Sequence, residues 1–290
     1  MERRKYSRLI AGTMTWGAWG KQLNNKKMIE LIHHCMANGI TSFDHADIYG
    51  GYTTEAEFGS AFAQSGIDRE KIQLISKCGI QLIDDSRKTE VKHYNYSKDY
   101  IIKSTETSLQ NLKTDYLDLL LLHRPSPLMK PAEIAEAITL LMAQGKIKSF
   151  GVSNFTVLQM ELISKYLNIS ANQIECSLTA DDALTNGILD KHITENITTM
   201  AWSPLGTVFR AQNKQTNRIH ILLDELSKSY QATKDQLVLA WLLKHPSNIH
   251  PVLGTTTKER ITNSTEALHI DLSLEDWFKI WEASVGAEAP

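Results

Sequence analysis

The stretch Leu117-Asp118-Leu119-Leu120-Leu121-Leu122-His123 is a short apolar run that ends in a histidine. Its run of leucines leaves no polar face, as in a strand of a parallel sheet whose two faces are both covered. Strands of this kind are joined by crossover connections, which usually contain a helix. The stretch therefore predicts an inner strand of an α/β fold, and we expect strands and helices to alternate on either side of it.

This alternation extends to both ends of the chain. Short β-rich segments occur at 9–14, 40–46, 72–78, 117–123, 147–153, 171–176, 198–203 and 251–255. Segments with apolar residues at helical spacing lie at 26–38, 54–64, 99–112, 131–144, 157–166, 186–195, 218–230, 234–244, 259–268 and 274–282. No linker divides the chain. The pattern predicts a single (β/α)8 barrel domain over residues 1–290.

Two predicted connections are longer than the others, at 80–98 and at 205–217. Long ordered loops in a barrel are usually functional, and disorder of these two connections is the alternative. An open doubly wound sheet shows the same alternation and stays an alternative on pattern alone. No Gly-x-Gly-x-x-Gly motif follows the first predicted strand, which disfavours a Rossmann-type dinucleotide site.

Charge and cysteine content exclude several classes of partner. Lysine and arginine number 31 against 33 acidic residues, a net charge of −2, so a field that would hold a nucleic acid is missing. No apolar segment is long enough to span a bilayer. Three widely spaced cysteines disfavour a disulfide framework or a clustered zinc site. We expect a cytoplasmic protein without nucleic-acid or membrane partners; the oligomeric state is not indicated, and a monomer is compatible with the sequence.

Polar residues occupy the ends of successive predicted strands: Asp44 near the end of the second with Tyr49 just after it, Lys77 near the end of the third and His123 at the end of the fourth. In a (β/α)8 barrel, catalytic groups lie where the strands end and the βα loops begin. Taken alone, each residue has a structural explanation, such as a helix cap, a solvated lysine or a core histidine. Together they indicate a catalytic site.

These four residues resemble the catalytic tetrad of the aldo-keto reductase family. The resemblance covers essentially the whole chain, because further family motifs follow in order: Gly151-Val152-Ser153-Asn154-Phe155, Asn172-Gln173-Ile174-Glu175, Trp202-Ser203-Pro204-Leu205-Gly206 and Gly254-Thr255-Thr256-Thr257-Lys258-Glu259-Arg260. The fuller strings at 45–52 and 76–80 most resemble the bacterial YdhF-like oxidoreductases. The resemblance implies a (β/α)8 barrel and an NADPH-dependent reduction of aldehydes or ketones to alcohols.

The resemblance also implies a role for each member of the tetrad. Tyr49 would be the general acid, and Lys77 would lower the pKa of Tyr49. Asp44 would keep Lys77 charged, and His123 would donate a hydrogen bond to the substrate oxygen. Hydride has to come from a cofactor, because no protein side chain delivers it. The implied cofactor is NADP(H).

Residues implied for the cofactor follow from the same motifs. Ser153, Asn154 and Gln173 would bind the carboxamide, and Trp202 would stack on the nicotinamide where a tyrosine is more usual. Arg260 matches an arginine that faces the adenosine 2′-phosphate, although Gly254 replaces a lysine of some members. The complete predicted set is Thr13, Met14, Asp44, Ser153, Asn154, Gln173, Trp202, Ser203, Pro204, Leu205, Gly206, Gly254, Thr255, Thr256, Lys258 and Arg260.

The substrate is expected to be a small polar or aromatic carbonyl compound. Its predicted pocket comprises Trp16, Tyr49, His123, Arg124 and Trp202, with Trp19, His93 and Tyr94 as further residues of the rim. Because the sequence ends soon after the helical segment 274–282, we expect little tail over the pocket and a permissive site.

Two other functions stay open at this point. Potassium-channel β subunits share the fold and most of these motifs, so a non-catalytic nicotinamide-binding sensor or regulatory subunit is the main alternative. A metal-dependent barrel hydrolase would use Asp44, His45, Asp47 and His123. It would leave Tyr49 and Lys77 without a role, and no paired histidines with metal-ligand spacing accompany these residues, so no metal is expected.

Overall fold

The alternation of strands and helices is present in the computed structural model, which describes residues 6–84 and 87–289. The strands are β1 Ile10–Gly12, β2 Ser42–Asp44, β3 Gln73–Cys78, β4 Ile80–Gln81, β5 His93–Tyr94, β6 Leu119–Leu122, β7 Phe150–Ser153, β8 Ala171–Glu175, β9 Thr198–Trp202 and β10 His250–Leu253. The helices are α1 Asn25–Ala37, α2 Tyr49–Tyr52, α3 Thr54–Gln64, α4 Lys98–Leu112, α5 Pro131–Ala143, α6 Val157–Ser164, α7 Ile188–Thr194, α8 Lys214–Tyr230, α9 Lys234–Lys244, α10 Lys258–Glu266 and α11 Leu274–Val285.

All strands except β4 and β5 form a closed barrel in the order β1-β10-β9-β8-β7-β6-β3-β2. The pairing is parallel, and Lys77 of β3 lies in register with Leu121 of β6. Every residue of β6 is buried, as expected for a strand that is covered on both faces. The predicted fold class, a (β/α)8 barrel, is therefore confirmed. Within the described residues, no helix is long and apolar enough to cross a membrane.

The chain divides into two compact units. The first contains the residues up to Gln173 together with Gly254–Thr256, and the second contains Ile174–Leu253 and the residues from Thr257 onward. The single domain expected over residues 1–290 stays a prediction.

In the first unit, an antiparallel hairpin of β4 and β5 interrupts the long connection predicted at 80–98. Ile80 pairs with Tyr94, and Gln81 pairs with His93. Ile80 packs in a small apolar cluster with Ala46 and Ile48 of the β2 loop. The hairpin is therefore anchored beside the residues that follow β2.

In the second unit, α8 begins four residues before the segment predicted at 218–230. Asn213 and Thr216 form a capping box, in which Asn213 Oδ1 accepts from Thr216 N–H and Thr216 Oγ1 accepts from Asn213 N–H. This reciprocal pair satisfies backbone N–H groups that a helix start otherwise leaves open. The second predicted long connection, 205–217, is shortened accordingly.

The second unit also contains a stacked pair of indoles, Trp241 of α9 and Trp277 of α11. Their ring centroids lie 5.1 Å apart, and the planes are inclined by 12°. Trp241 Nε1 donates to the Trp277 carbonyl at 3.1 Å, and Trp277 Nε1 donates to the Trp241 carbonyl at 2.9 Å. The two helices are thus joined by a reciprocal pair of hydrogen bonds.

Candidate active site

The four tetrad residues lie together in the first unit, and Lys77 is at their centre. The Lys77 ammonium group donates to Asp44 Oδ2 at 2.8 Å, to the His45 carbonyl at 2.7 Å and to the Tyr49 hydroxyl at 3.1 Å. An ammonium group has three protons, so all of them are used. Because the Tyr49 oxygen accepts from Lys77, the phenolic proton is left to donate elsewhere.

Asp44 is the residue that balances this charge. It is 2% exposed, and its second carboxylate oxygen, Oδ1, accepts a 2.9 Å hydrogen bond from Gln173 Nε2. Removing one member of a buried ion pair strongly destabilises the fold, because the other charge is left buried without compensation. Asp44 therefore holds Lys77 both electrostatically and in direction.

The pKa of Tyr49 is set by two opposed effects. Burial raises it above its ordinary value, and the nearby Lys77 charge lowers it, as predicted, but only partly offsets burial. The net shift is upward because desolvation of the phenolate outweighs the cation, an effect that the sequence analysis did not include. Burial alone would lower the pKa of Lys77, but Asp44 and Tyr49 raise it above its ordinary value. At neutral pH the pair is therefore a charged lysine beside a protonated tyrosine.

His123 lies beside the tyrosine. The two ring centroids are 6.1 Å apart at 78°, an edge-to-face arrangement. Burial, with the Lys77, Arg124 and Lys92 charges, lowers the pKa of His123 well below its ordinary value. A neutral imidazole can donate one hydrogen bond without competing for the proton of the acid.

Tyr49 is carried on an unusual turn, because α2 is not a regular helix. Gly50 and Gly51 have φ angles of 64° and 68°, and Tyr52 has φ of 71°. Glycine takes this left-handed conformation readily, whereas a tyrosine needs compensation. The Tyr52 hydroxyl accepts a hydrogen bond from Leu82 N–H at 3.1 Å. The guanidinium carbon of Arg87 lies 3.6 Å from the centroid of the Tyr52 ring. These contacts join the turn Tyr49–Tyr52 to the β4–β5 hairpin.

Several residues predicted to bind cofactor surround the tetrad in the first unit. Thr13 Oγ1 donates to the Asp44 carbonyl and accepts from His45 Nδ1. Ser153 Oγ donates to the Gln173 carbonyl at 3.0 Å, and Asn154 Nδ2 donates to Ser153 Oγ at 2.7 Å. Asn154 has φ of 60°. This set of amides and a hydroxyl can donate to and accept from a carboxamide, so its chemistry fits a nicotinamide.

The remaining predicted cofactor residues of the first unit lie on loops. Thr15 Oγ1 donates to the Gly254 carbonyl at 3.1 Å, which ties the loop after β1 to the loop after β10. Gly254 is exposed, and a Cβ there would meet nothing within 4 Å. Thr255 and Thr256 are half-buried, whereas Met14 is exposed.

In the second unit, Trp202, Ser203 and Leu205 are half-buried, and Pro204 and Gly206 are buried. Gly206 has φ of 52°, and a Cβ there would overlap Ser177 and Thr179. Lys258 and Arg260 lie in the first turn of α10, with Arg260 exposed. An exposed arginine at a helix start suits an anion such as a phosphate.

The two tryptophans of the loop after β1 that were predicted near the substrate have different surroundings. Trp16 is fully buried against Phe43 and Phe58, so it is a core residue in this structure. Trp19, three residues later, is 45% exposed, and its ring lies 6.2 Å from that of Tyr49. Arg124 is half-buried next to His123.

Asp47, which the sequence analysis named only as a ligand of the metal-dependent hydrolase, is a half-buried acid two residues before Tyr49. Asp47 Oδ2 accepts from Ser104 Oγ at 2.9 Å and from the Tyr100 hydroxyl at 3.3 Å, whereas Oδ1 has no partner among the described residues. Burial and the nearby Glu55 raise the pKa of Asp47 to about 7.

Within the described residues, no group of three or more His, Cys, Asp or Glu could hold a metal ion.

The chain is similar to known proteins over nearly its whole length. A model of the Aldo/keto reductase family matches residues 8–284. The chain is 41% identical to the uncharacterised oxidoreductase YcsN of Bacillus subtilis, over 99% of this chain and 97% of that protein. It is 39% identical to a 6-dehydroglucose reductase of Agrobacterium fabrum, over 89% and 87% respectively. It is 37% identical to the oxidoreductase YdhF of Escherichia coli, over 99% and 96%. The predicted resemblance to the YdhF-like oxidoreductases is confirmed.

Among solved structures, the crystal structure of the thermostable aldo-keto reductase Tm1743 with the inhibitor epalrestat superposes with a TM-score of 0.81. The two chains are 28% identical, and the match covers 95% of this chain and 94% of the other. Barrel, family model and relatives agree. This chain belongs to the aldo/keto reductase family.

Proposed function

We propose that the protein is an NADPH-dependent oxidoreductase that reduces aldehydes or ketones to alcohols, with Tyr49 as the general acid. The observation that carries this proposal is the use of all three Lys77 protons on Asp44, the His45 carbonyl and Tyr49. This arrangement directs the Tyr49 proton away from Lys77. Membership of an oxidoreductase-containing family supports the reaction class.

The cofactor, when bound, would supply the hydride. Ser153, Asn154 and Gln173 would hold its carboxamide, and the family resemblance adds Trp202 for the ring and Arg260 for the 2′-phosphate. Thr13, Met14, Ser203, Pro204, Leu205, Gly206, Gly254, Thr255, Thr256 and Lys258 complete the proposed cofactor contacts.

On the substrate side, Tyr49 would donate its proton to the carbonyl oxygen as negative charge develops there. Lys77 would stabilise the resulting phenolate, and its pairing with Asp44 keeps its charge constant. His123, held neutral, would donate a hydrogen bond to the same oxygen and orient the carbonyl. Trp19, Arg124 and Trp202 would line the pocket, which we expect to take small polar or aromatic carbonyl compounds in the cytoplasm.

The decisive experiment measures hydride transfer in a single turnover. The protein with bound NADPH is mixed with each aldehyde of a panel, and the reaction is monitored as the loss of NADPH absorbance. The panel includes 6-dehydroglucose, on which the Agrobacterium relative is named to act. The wild-type protein should oxidise NADPH with at least one aldehyde. Tyr49→Phe should bind NADPH normally and lose roughly 10²–10⁴-fold in rate, because only the acidic proton is removed.

A non-catalytic nicotinamide sensor predicts a different result. Such a protein would bind NADPH in a fluorescence titration but would show no hydride transfer with any aldehyde of the panel, and Tyr49→Phe would change nothing. Normal turnover in Tyr49→Phe would instead remove Tyr49 from the mechanism.

A further inference from the structure

His123 has no side-chain hydrogen bond that fixes its ring within the described residues. His123 Nδ1 is buried and without a partner there, and the closest aromatic ring is the edge-on ring of Tyr49. In many functional histidines, a carbonyl or carboxylate bound to the second ring nitrogen sets the direction of the first. Here that direction depends instead on the backbone that carries the residue.

The backbone that follows His123 is held by one hydroxyl group. His123 N–H donates to the Cys78 carbonyl at 2.9 Å and so closes the pairing of β6 with β3. Arg124 is the next residue, and its N–H donates to the Tyr96 hydroxyl at 3.1 Å. The same hydroxyl donates to the Arg124 carbonyl at 2.5 Å. The backbone N–H and the backbone carbonyl of Arg124 are therefore both hydrogen-bonded to the Tyr96 hydroxyl.

Gly79 provides the space in which Tyr96 lies. Gly79 has φ of 115°, and a Cβ at this position would overlap the Tyr96 ring. The Gly79 carbonyl also accepts from Asn95 N–H at 2.8 Å, which holds the segment that carries Tyr96. The ring thus lies on the residue after Lys77-Cys78, and the hydroxyl binds the residue after His123. Tyr96 connects the ends of two strands that carry tetrad residues.

Tyr96 is well suited to a constant structural contact. It is 5% exposed, and burial raises its pKa well above the ordinary value, so it keeps the proton that it donates. Within the described residues, no hydrogen bond links its side chain to Tyr49, Lys77 or Asp44. The ring contacts the backbone at Gly79, whereas the hydroxyl group acts on the backbone at Arg124.

We infer that Tyr96 is a positioning residue whose hydroxyl fixes the Arg124 peptide and thereby sets the direction in which His123 meets the substrate carbonyl oxygen. The kinetic part of this inference rests on the proposed reductase function. The structural part, the dependence of His123 on Tyr96, does not.

A double-mutant cycle tests the kinetic part. Tyr96→Phe keeps the ring on Gly79 and removes only the hydroxyl, and a misdirected His123 should lower kcat/KM for carbonyl reduction about tenfold. In a His123→Ala background the same substitution should change kcat/KM less than about twofold, because the group through which it acts is gone. An equal loss in both backgrounds would show general damage and overturn the inference.

Tyr6→Phe is the matched control. Tyr6 is also buried, and its hydroxyl bonds Ser149 Oγ at 3.2 Å, away from the tetrad. Tyr6→Phe removes a buried tyrosine hydroxyl and its hydrogen bond, as Tyr96→Phe does. It should therefore reduce stability yet leave kcat/KM near the wild-type value. A loss in Tyr6→Phe equal to that in Tyr96→Phe would also overturn the inference.

The second readout needs no turnover. In protein labelled with ¹⁵N at histidine, the imidazole signals of His123 are identified by their absence from His123→Ala. They should shift in Tyr96→Phe and stay in place in Tyr6→Phe. Unmoved His123 signals in Tyr96→Phe would refute the inference, whereas a wild-type protein without turnover would refute the proposed function and leave this measurement valid.

Discussion

Gln173 Nε2 donates a 2.9 Å hydrogen bond to Asp44 Oδ1, on the carboxylate whose other oxygen binds Lys77. Gln173, Asp44, Lys77 and Tyr49 thus form one continuous chain of hydrogen bonds. A side chain that was predicted only from its resemblance to a carboxamide-binding residue also contacts the tetrad. If Gln173 also holds the cofactor carboxamide, as proposed, we expect cofactor binding and the state of the proposed acid Tyr49 to be coupled through Gln173.

This coupling predicts that Gln173→Glu impairs two properties together. A second carboxylate beside Asp44 Oδ1 would repel it, and one of the two acids would have to take up a proton, which weakens the hold on Lys77. We expect both kcat and NADPH affinity to fall. Gln173→Leu, which removes the hydrogen bond to Asp44 and the proposed carboxamide contact without adding a charge, should cost about 1–3 kcal/mol in stability and lower kcat less than Gln173→Glu does. Wild-type kcat and Kd in Gln173→Glu would contradict the coupling.

A second prediction concerns the pH dependence of alcohol oxidation, the reverse of the proposed reaction, in which the proposed mechanism requires an ionised Tyr49. Lys77 lowers the pKa of Tyr49 against the larger, opposite effect of burial. In Lys77→Met the rise of the oxidation rate with pH should therefore move to higher pH, and the rate should fall roughly 10²–10⁴-fold. Asp44→Asn combined with Lys77→Met is the control without a stranded carboxylate. An unchanged pH profile would make Lys77 purely structural.

A third prediction concerns stability at Asp47. The pKa of Asp47 is about 7 in the folded protein against an ordinary value of 3.8. Between pH 3.8 and about pH 7, unfolding therefore releases a proton from this residue. The free energy of unfolding therefore falls as pH rises from about 4 to 7, by at most about 4 kcal/mol. Asp47→Asn should remove this penalty and stabilise the protein at pH 8 but hardly at pH 4.

Urea unfolding at the two pH values measures this difference. The exposed Asp68 provides the control, because Asp68→Asn should not reproduce the stabilisation at pH 8. If Asp47→Asn gave the same change at both pH values, the carboxyl of Asp47 would not titrate in this range.

A fourth prediction concerns the choice of cofactor. Arg260 is exposed in the first turn of α10 and can offer a planar fork of donors to a phosphate. Arg260→Ala should weaken NADPH binding by roughly tenfold or more, because a charge-assisted hydrogen bond is worth about 1.5–3 kcal/mol. NADH lacks the 2′-phosphate, so its binding should hardly change. Equal weakening of both cofactors, or an initial preference for NADH, would argue against NADPH.

The barrel and the meeting of the tetrad could be predicted because both follow from local pattern. The parallel strands end at one face of the barrel, so residues that end successive strands, such as Lys77 and His123, are brought together whatever the loops do. The start of α8 could also have been placed near Asn213, since asparagine is a preferred N-cap residue, although Thr216 is not the Glu or Gln of the usual capping-box pattern.

Features that depend on residues distant in sequence could not be predicted in this way. Strands β4 and β5 have two residues each, too few to show a period, and they exist through mutual pairing. Trp16 and Trp19 lie on one loop, and only the folded chain decides which one enters the core. The sign of the Tyr49 pKa shift depends on how much burial opposes one nearby charge, a balance that spacing does not reveal.

We expect the indole pair of Trp241 and Trp277 to couple the opening of α11 to that of α9. A helix that opens locally exposes its amide protons to exchange with solvent. Here neither indole N–H can leave its carbonyl without separating two stacked rings and the opposite N–H···O bond. Hydrogen exchange at the two indole nitrogens should therefore be one cooperative event, in which both helices open together.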